Sequence, residues 1–258
     1  MTSSKPYNSI RPRSWDNAPF VVGDLHGMYE IAARAVGVAE KEGRHVYFLG
    51  DYLDSFDRDV GDQLQTIMTV LKAVKEGRAT ALLGNHELSY FDERMRCSGY
   101  NTALSLALGK GIGDGASLKQ DVKKHFKPYV WVEDFLLTHA GVSWSLLNWL
   151  GISLEEYLDT EEHWNYIGRF RGGANPVGAH YWCDWRYEFS PVDGVKQIVG
   201  HTRGAPDIFR EVDGNYCIDC IPHARDSFKV AVIKDGQLRE KVIQLYEGDD
   251  DELPTGSV

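Results

Sequence analysis

Three short apolar runs near the start of the chain each end in a glycine followed by Asp or Asn, and a helical pattern separates each run from the next. Phe20–Val22 reads as a strand leading into Gly23-Asp24. Tyr29–Glu42 then carries apolar residues at Ile31, Ala35 and Val38, the spacing of a helix face, and closes at Gly43. The order repeats, with His45–Leu49 as strand, residues 50–59 as loop, and Gln63–Lys75 as a helix through Leu64, Ile67, Leu71 and Val74, capped by Gly77. Ala79–Leu83 supplies a third strand before Gly84. Strand-helix alternation of this kind folds as a mostly parallel sheet with right-handed crossovers, which sets the three strand exits side by side at one edge.

Further along, Phe135–Thr138, Gln197–Val199 and Tyr216–Cys220 read as strands, as does Phe228–Ile233, turned by Asp235-Gly236 into Arg239–Leu245. A second sheet packed on the first accounts for them. Residues 97–129 form a Gly-rich, basic stretch, expected to be an irregular or helical insertion near the mouth of the sheet. Residues 1–246 are expected to form one domain. The run Asp249, Asp250, Asp251, Glu252 marks residues 247–258 as a solvated, disordered acidic tail.

The strand exits carry the chemistry. They read Gly23-Asp24-Leu25-His26-Gly27, Gly50-Asp51-Tyr52-Leu53-Asp54 and Gly84-Asn85-His86-Glu87. Two later exits add Thr138-His139-Ala140-Gly141 and Gly200-His201-Thr202. Glycine lets the backbone turn sharply while carboxylate, amide and imidazole groups project into one crevice. A mixed O and N donor set suits manganese, iron or zinc, whereas magnesium favours oxygen alone. Two such ions bridged by a carboxylate are a known device for in-line attack on a phosphoester.

The ordered strings GDLHG, GDYLD, GNHE, THAG and GHT resemble the phosphoprotein phosphatase branch of the calcineurin-like metallophosphoesterases, nearest the bacterial and lambda-type serine/threonine protein phosphatases. The resemblance runs from Gly23 to Thr202, with a matching strand at Asp219. It implies an α/β sandwich of two mixed β-sheets with flanking helices and a metal site at the strand C-terminal ends. By motif position it implies that Asp24 and His26 bind one divalent ion and that Asp51 bridges two. Asn85, His139 and His201 would bind the second, with manganese the expected metal and iron or zinc the alternatives. His86 resembles the proton donor to the leaving group, oriented by Asp54, and hydroxide on the metals would attack phosphorus directly. Asp51 and Asp54 share one loop and His86 leaves the adjacent strand, so the reading from the residues agrees.

One departure stands out. The family usually continues Asp-Arg-Gly after the second aspartate, the arginine gripping phosphate oxygens through its planar fork, but here Ser55-Phe56-Asp57 follows Asp54. Arg186, in Trp182-Cys183-Asp184-Trp185-Arg186, is the expected catalytic arginine, with Arg58 and Arg203 as the other candidates. Five tryptophans, Trp144, Trp149, Trp164, Trp182 and Trp185, cluster between the late histidines and are expected mainly in the core, with a base-stacking wall as the alternative. Cys217 and Cys220 sit on one strand with opposite orientations, so a redox pair is not expected.

A net charge of −10 argues against nonspecific nucleic-acid or anionic-membrane binding. No stretch approaches a membrane-spanning run, residues 1–19 show no leader pattern, and a cytoplasmic protein with reduced thiols is expected. The expected activity is phosphomonoester hydrolysis on phosphorylated proteins or small phosphoesters. The alternatives are hydrolysis of dinucleoside polyphosphates or nucleotides on the same metal core, and a degraded site kept as a phosphate-binding module.

Overall fold

The computed structural model describes residues 17–92, 95–110, 117–205, 209–219 and 226–246. The expected tail and Cys220 lie outside them. Strands β1 (Phe20–Val22), β2 (Val46–Phe48) and β3 (Ala79–Ala81) alternate with helices α1 (Tyr29–Lys41) and α2 (Val60–Lys75). Pairing is parallel, Phe20 opposite Val46 and Val46 opposite Ala79. Helix α2 begins three residues before the apolar periodicity does, because the Asp59 side chain caps it by accepting the Asp62 N–H.

After β3 come α3 (Asn85–Phe91), α4 (Thr102–Gly109) and α5 (Leu118–His125), then β4 (Tyr129–Val132) and β5 (Phe135–Thr138). Helices α6 (Trp144–Leu150) and α7 (Leu154–Asp159) precede β6 (Lys196–Val199), β7 (Arg210–Val212), β8 (Asn215–Cys217), β9 (Ser227–Lys234) and β10 (Gln237–Gln244). The two five-stranded sheets run β10-β9-β1-β2-β3 and β4-β5-β6-β8-β7. Both are mixed, as expected.

One assignment changes. The terminal hairpin β9–β10 does not join the second sheet; β9 pairs antiparallel with β1 and extends the first. Its two faces explain why. Phe228, Val230 and Val232 enter the core beneath the helices, and Ala231 and Ile233 enter the core between the sheets. A strand apolar on both faces needs a place inside a covered sheet, and the open side of β1 provides it. The same alternation sorts β1, with Phe20 and Val22 under the helices and Val21 between the sheets.

Within residues 97–129, α4 and α5 pack on α2 and bury Leu104, Leu108, Leu118 and Val122 in the helix-side core. Among the described residues of this stretch, Cys97 and Ser98, before α4, are the ones that line the cleft at the mouth of the sheets. On the outer face of the second sheet, α6 and α7 cover Leu136 and Val142. The result is four layers, helix, sheet, sheet, helix, with the exits of β1, β2, β3, β5 and β6 opening at one end. Among the described residues no helix is long and apolar enough to cross a membrane. Of the clustered tryptophans, Trp182 and Trp185 are buried, while Trp144 and Trp149 are exposed.

Candidate metal centre and active site

Each of the five strand exits delivers its donor residues to one cleft. Asp51 sits at the centre. Its N–H is held by Glu87, its Oδ1 accepts the His86 N–H at 3.0 Å, and its Oδ2 lies 3.2 Å from His139 Nε2. His139 Nε2 also stands 2.9 Å from Asn85 Oδ1 and 3.2 Å from His201 Nδ1. On the other side, His26 Nε2 is 3.9 Å from Asp24 Oδ2 and 4.0 Å from Asp51 Oδ2. Asp51 therefore belongs to two donor groups, one with His26 and one with His139 and His201.

The hydrogen-bond partners behind these atoms decide what they offer. His139 Nδ1 lies 2.9 Å from the Leu49 carbonyl and His26 Nδ1 lies 2.9 Å from the Leu53 carbonyl. A carbonyl only accepts, so each Nδ1 carries a proton, and whenever the ring is neutral its Nε2 faces the cleft bare. Asn85 Nδ2 points at Cys97 Sγ, which turns Oδ1 inward. The result is a knot of acceptors facing acceptors. Such contacts repel unless a cation lies among them, and metal–ligand bonds of about 2.1 Å place neighbouring ligands about 3 Å apart. The donor set fits divalent metal.

The backbone is held unusually to achieve this. His26, Asp51, Asp54 and His201 adopt φ of 42°, 53°, 62° and 64°, in the left-handed region that L side chains avoid. A Cβ on Gly84 would collide with the Asp51 carboxylate, and one on Gly200 with that of Asp24. Glycine at these two exits is required by close approach rather than by turn geometry.

Burial and crowding set the charges. Burial, then Asp219 and Asp51, push Asp24 well above the usual carboxylate range. Asp51 goes the other way. Burial opposes its ionisation, but His139, His86 and His26 together bring it well below the usual range. For His86, burial favours the neutral ring, yet the carboxylates of Asp51 and Asp54 outweigh it and raise the imidazole to about 9. His86 Nδ1 donates to Asp54 Oδ2 at 2.8 Å, and its Nε2 lies 3.9 Å from Asp51 Oδ2. By distance alone His86 joins the donor group of His26 and Asp51. Its Nδ1 pairing with Asp54 sets it apart from the other rings of the cleft.

The sequence model of the calcineurin-like phosphoesterases matches residues 20–203. The chain belongs to this family. It is therefore a phosphatase-class hydrolase of phosphoric esters, in a family that depends on metal ions. Its fold is similar to a cold-active protein-tyrosine phosphatase of a psychrophilic Shewanella species, with a TM-score of 0.59 at 14% identity over 89% of this chain and 80% of that one. It is also similar to a protein serine/threonine phosphatase from Saccharomyces cerevisiae, with a TM-score of 0.52 at 15% identity over 92% and 82%. No curated protein sequence matches the chain.

The cleft of this calcineurin-like phosphoesterase is an open cavity of about 400 Å³ lined by His26, Asp51, Asn85, His86 and His201, together with Trp182, Arg171, Arg96 and Cys97. Arg186 does not line it. Its side chain is exposed and donates to the Arg203 carbonyl, because the turn that carries it is pinned by Asp184, which accepts the Arg186 N–H. Asp184 instead holds Arg171, at 3.1 Å, and Arg171 also donates to Thr202 Oγ1. Arg58 is drawn away by Glu30 at 2.8 Å. Arg171 follows Arg169-Phe170 and precedes Gly172-Gly173, a glycine-marked turn that was the available sequence signal.

Two supporting residues of the phosphoesterase have roles that the motifs do not reveal, Glu87 inside the GNHE string and Tyr90 beyond it. Glu87 is fully buried and accepts the N–H groups of Asp51, Tyr52, Leu53 and Gly84. Tyr90 donates its hydroxyl to Asp54 Oδ1. Both lie on α3 at helical spacing from His86 or each other, which is the signal that links them.

Proposed function

We propose that this chain is a two-metal phosphomonoesterase acting on phosphorylated serine or threonine in proteins. The observation that carries the reading is the convergence of Asp51, Asn85, His139 and His201 beside His86, which is backed by Asp54. Asp24, His26 and Asp51 would hold one ion, and Asp51, Asn85, His139 and His201 the other, with manganese, iron or zinc matching the donors. Bound there, the ions would supply a water acidic enough to attack at neutral pH and would neutralise charge on the phosphoryl oxygens.

The chain's own residues do the rest. Asp54 keeps the proton on His86 Nδ1 and leaves the Nε2 proton aimed into the cleft, where it passes to the departing alkoxide. Arg171, positioned by Asp184 and Thr202, presents its guanidinium to the phosphoryl group from the cavity lining. An open cleft with a narrow acceptor floor suits a phosphorylated side chain on a larger body. Intact donors and an intact His86–Asp54 pair argue against a degraded binding module.

The test is a turnover panel of phosphoserine, phosphothreonine and phosphotyrosine peptides, nucleotides and dinucleoside polyphosphates with added manganese, alongside elemental analysis. Close to two ions per chain, loss of activity to chelators, and preference for phosphoserine or phosphothreonine peptides are expected. Full activity without metal would sink the scheme, and preference for a dinucleoside polyphosphate would move the substrate to the class that a base-stacking Trp182 serves.

A further inference from the structure

The arginine that should follow Asp54 is absent, and the position after Ser55 holds Phe56, which is 80% exposed. Another segment comes to the same place. Residues 95–101 run between α3 and α4 and press directly on Asp54: a Cβ on Gly99, whose φ is +89°, would lie 3.1 Å from the Asp54 Cβ. The Asn101 N–H donates to the Tyr90 hydroxyl at 3.1 Å, and that hydroxyl donates to Asp54. Tyr100 stacks on Tyr90 with ring centroids 4.8 Å apart and planes 20° from parallel. Over the ring of Tyr100, at 4.7 Å, lies the guanidinium of Arg96, whose residue lines the cavity together with His26, Asp51, Asn85 and His86.

We propose that Arg96 is the phosphate-gripping residue that replaces the missing arginine, held in register with His86 through the chain Tyr100, Tyr90, Asp54. The chemistry fits the geometry. A guanidinium stacked on an aromatic ring uses its face, so its N–H edge stays available for two oxygens of a phosphoryl group. The stack also restricts the side chain before substrate arrives, which reduces the ordering cost of binding. Neither Arg58, paired with Glu30, nor Arg186, bonded to the Arg203 carbonyl, lines the cavity. Arg171 lines the same cavity, so the cleft holds two guanidinium groups near its acceptor floor.

This proposal rests on the phosphomonoesterase reading, and its experiment separates the two. The manganese-loaded protein and its Arg96→Ala, Arg96→Lys and Tyr100→Leu variants are compared by steady-state hydrolysis of nitrophenyl phosphate and by calorimetric titration with inorganic phosphate. Arg96→Ala should raise KM and the phosphate Kd together by about ten- to a hundredfold, the effect of losing charge-assisted hydrogen bonds, with metal content and melting temperature unchanged. Lysine should restore only part, because it lacks the planar fork. Tyr100→Leu should raise both constants several-fold with the guanidinium still present.

Wild-type KM and phosphate Kd in Arg96→Ala would overturn the proposal and leave the phosphomonoesterase reading standing. So would the same loss in Arg58→Ala or Arg186→Ala in its place. Arg96-dependent phosphate binding in a protein that hydrolyses no phosphomonoester would do the reverse.

Discussion

Glu87 offers the sharpest test of how the site is held. Its carboxylate receives four backbone N–H groups, those of Tyr52 and Leu53 on Oε1 at 2.8 and 3.3 Å and those of Asp51 and Gly84 on Oε2 at 2.9 and 3.0 Å. In Glu87→Gln the better orientation keeps the amide oxygen on one pair and turns its NH₂ toward the other. Two buried N–H groups then lose their acceptor and face a donor. At about 1–3 kcal/mol for each buried unsatisfied group, the variant should lose about 2–6 kcal/mol, a large part of the roughly 5–15 kcal/mol that holds a domain. Burial and the charge of Asp51 raise the Glu87 carboxyl to about 7, while the N–H groups of Tyr52 and Gly84 favour the ionised form. Four donors and no acceptor around it favour the carboxylate once cations occupy the cleft. Urea unfolding of the manganese-loaded protein at pH 7.5 measures the loss, and kcat/KM should fall at least tenfold because Asp51 no longer has its left-handed backbone held. A Glu87→Gln variant within about 1 kcal/mol of wild type, with normal activity, would refute this. It would mean that Glu87 already carries a proton, or that the N–H groups find other acceptors.

Two further predictions concern histidines. His86→Asn should keep both metals yet lose roughly 10²–10⁴-fold in turnover on phosphoserine peptides, and much less on nitrophenyl phosphate, whose leaving group needs no acid. Because His86 must be protonated to act, wild-type activity on phosphoserine peptides should decline on the alkaline side as the ring loses its proton, and the variant should lose this alkaline limb. His180 titrates against the fold: burial and then the charge of His139 lower it to about 3, and it bonds only to Tyr157 among the described contacts of its ring. The unfolded chain takes up a proton near pH 6.5 that the folded chain refuses, so stability is full above pH 6.5 and falls as pH drops toward 3. Urea unfolding at pH 7 and pH 5 should show a loss of about 2 kcal/mol from this residue, absent from the slope of His180→Gln; equal slopes would exclude it.

The alternation of Phe20–Val22, Val46–Phe48 and Ala79–Ala81 with two amphipathic helices was legible because it depends on neighbours in sequence. So was the existence of the site. Gly-Asp, Gly-Asn and Gly-His at successive strand exits are local patterns, and a parallel sheet brings such exits together whatever lies between them. The two-sheet architecture followed from the same reasoning. The terminal hairpin was legible as a hairpin, since Asp235 and Gly236 both take positive φ, as an Asp-Gly turn requires.

What the hairpin joined was decided by tertiary structure. Both faces of β9 are apolar, and the open edge of β1 covers both at once. The arginines followed the same logic. The glycines after Arg171 mark a turn but not where its side chain goes; Asp184, thirteen residues on, holds Arg171 at the cleft while its own turn sends Arg186 outward. Glu87, Tyr90 and Arg96 act through the backbone of Asp51, the carboxylate of Asp54 and the ring of Tyr100. The sequence thus determined the donors, because strand-end chemistry is local. The fold decided which charges face them, because a guanidinium goes wherever the nearest carboxylate or aromatic ring in space can hold it.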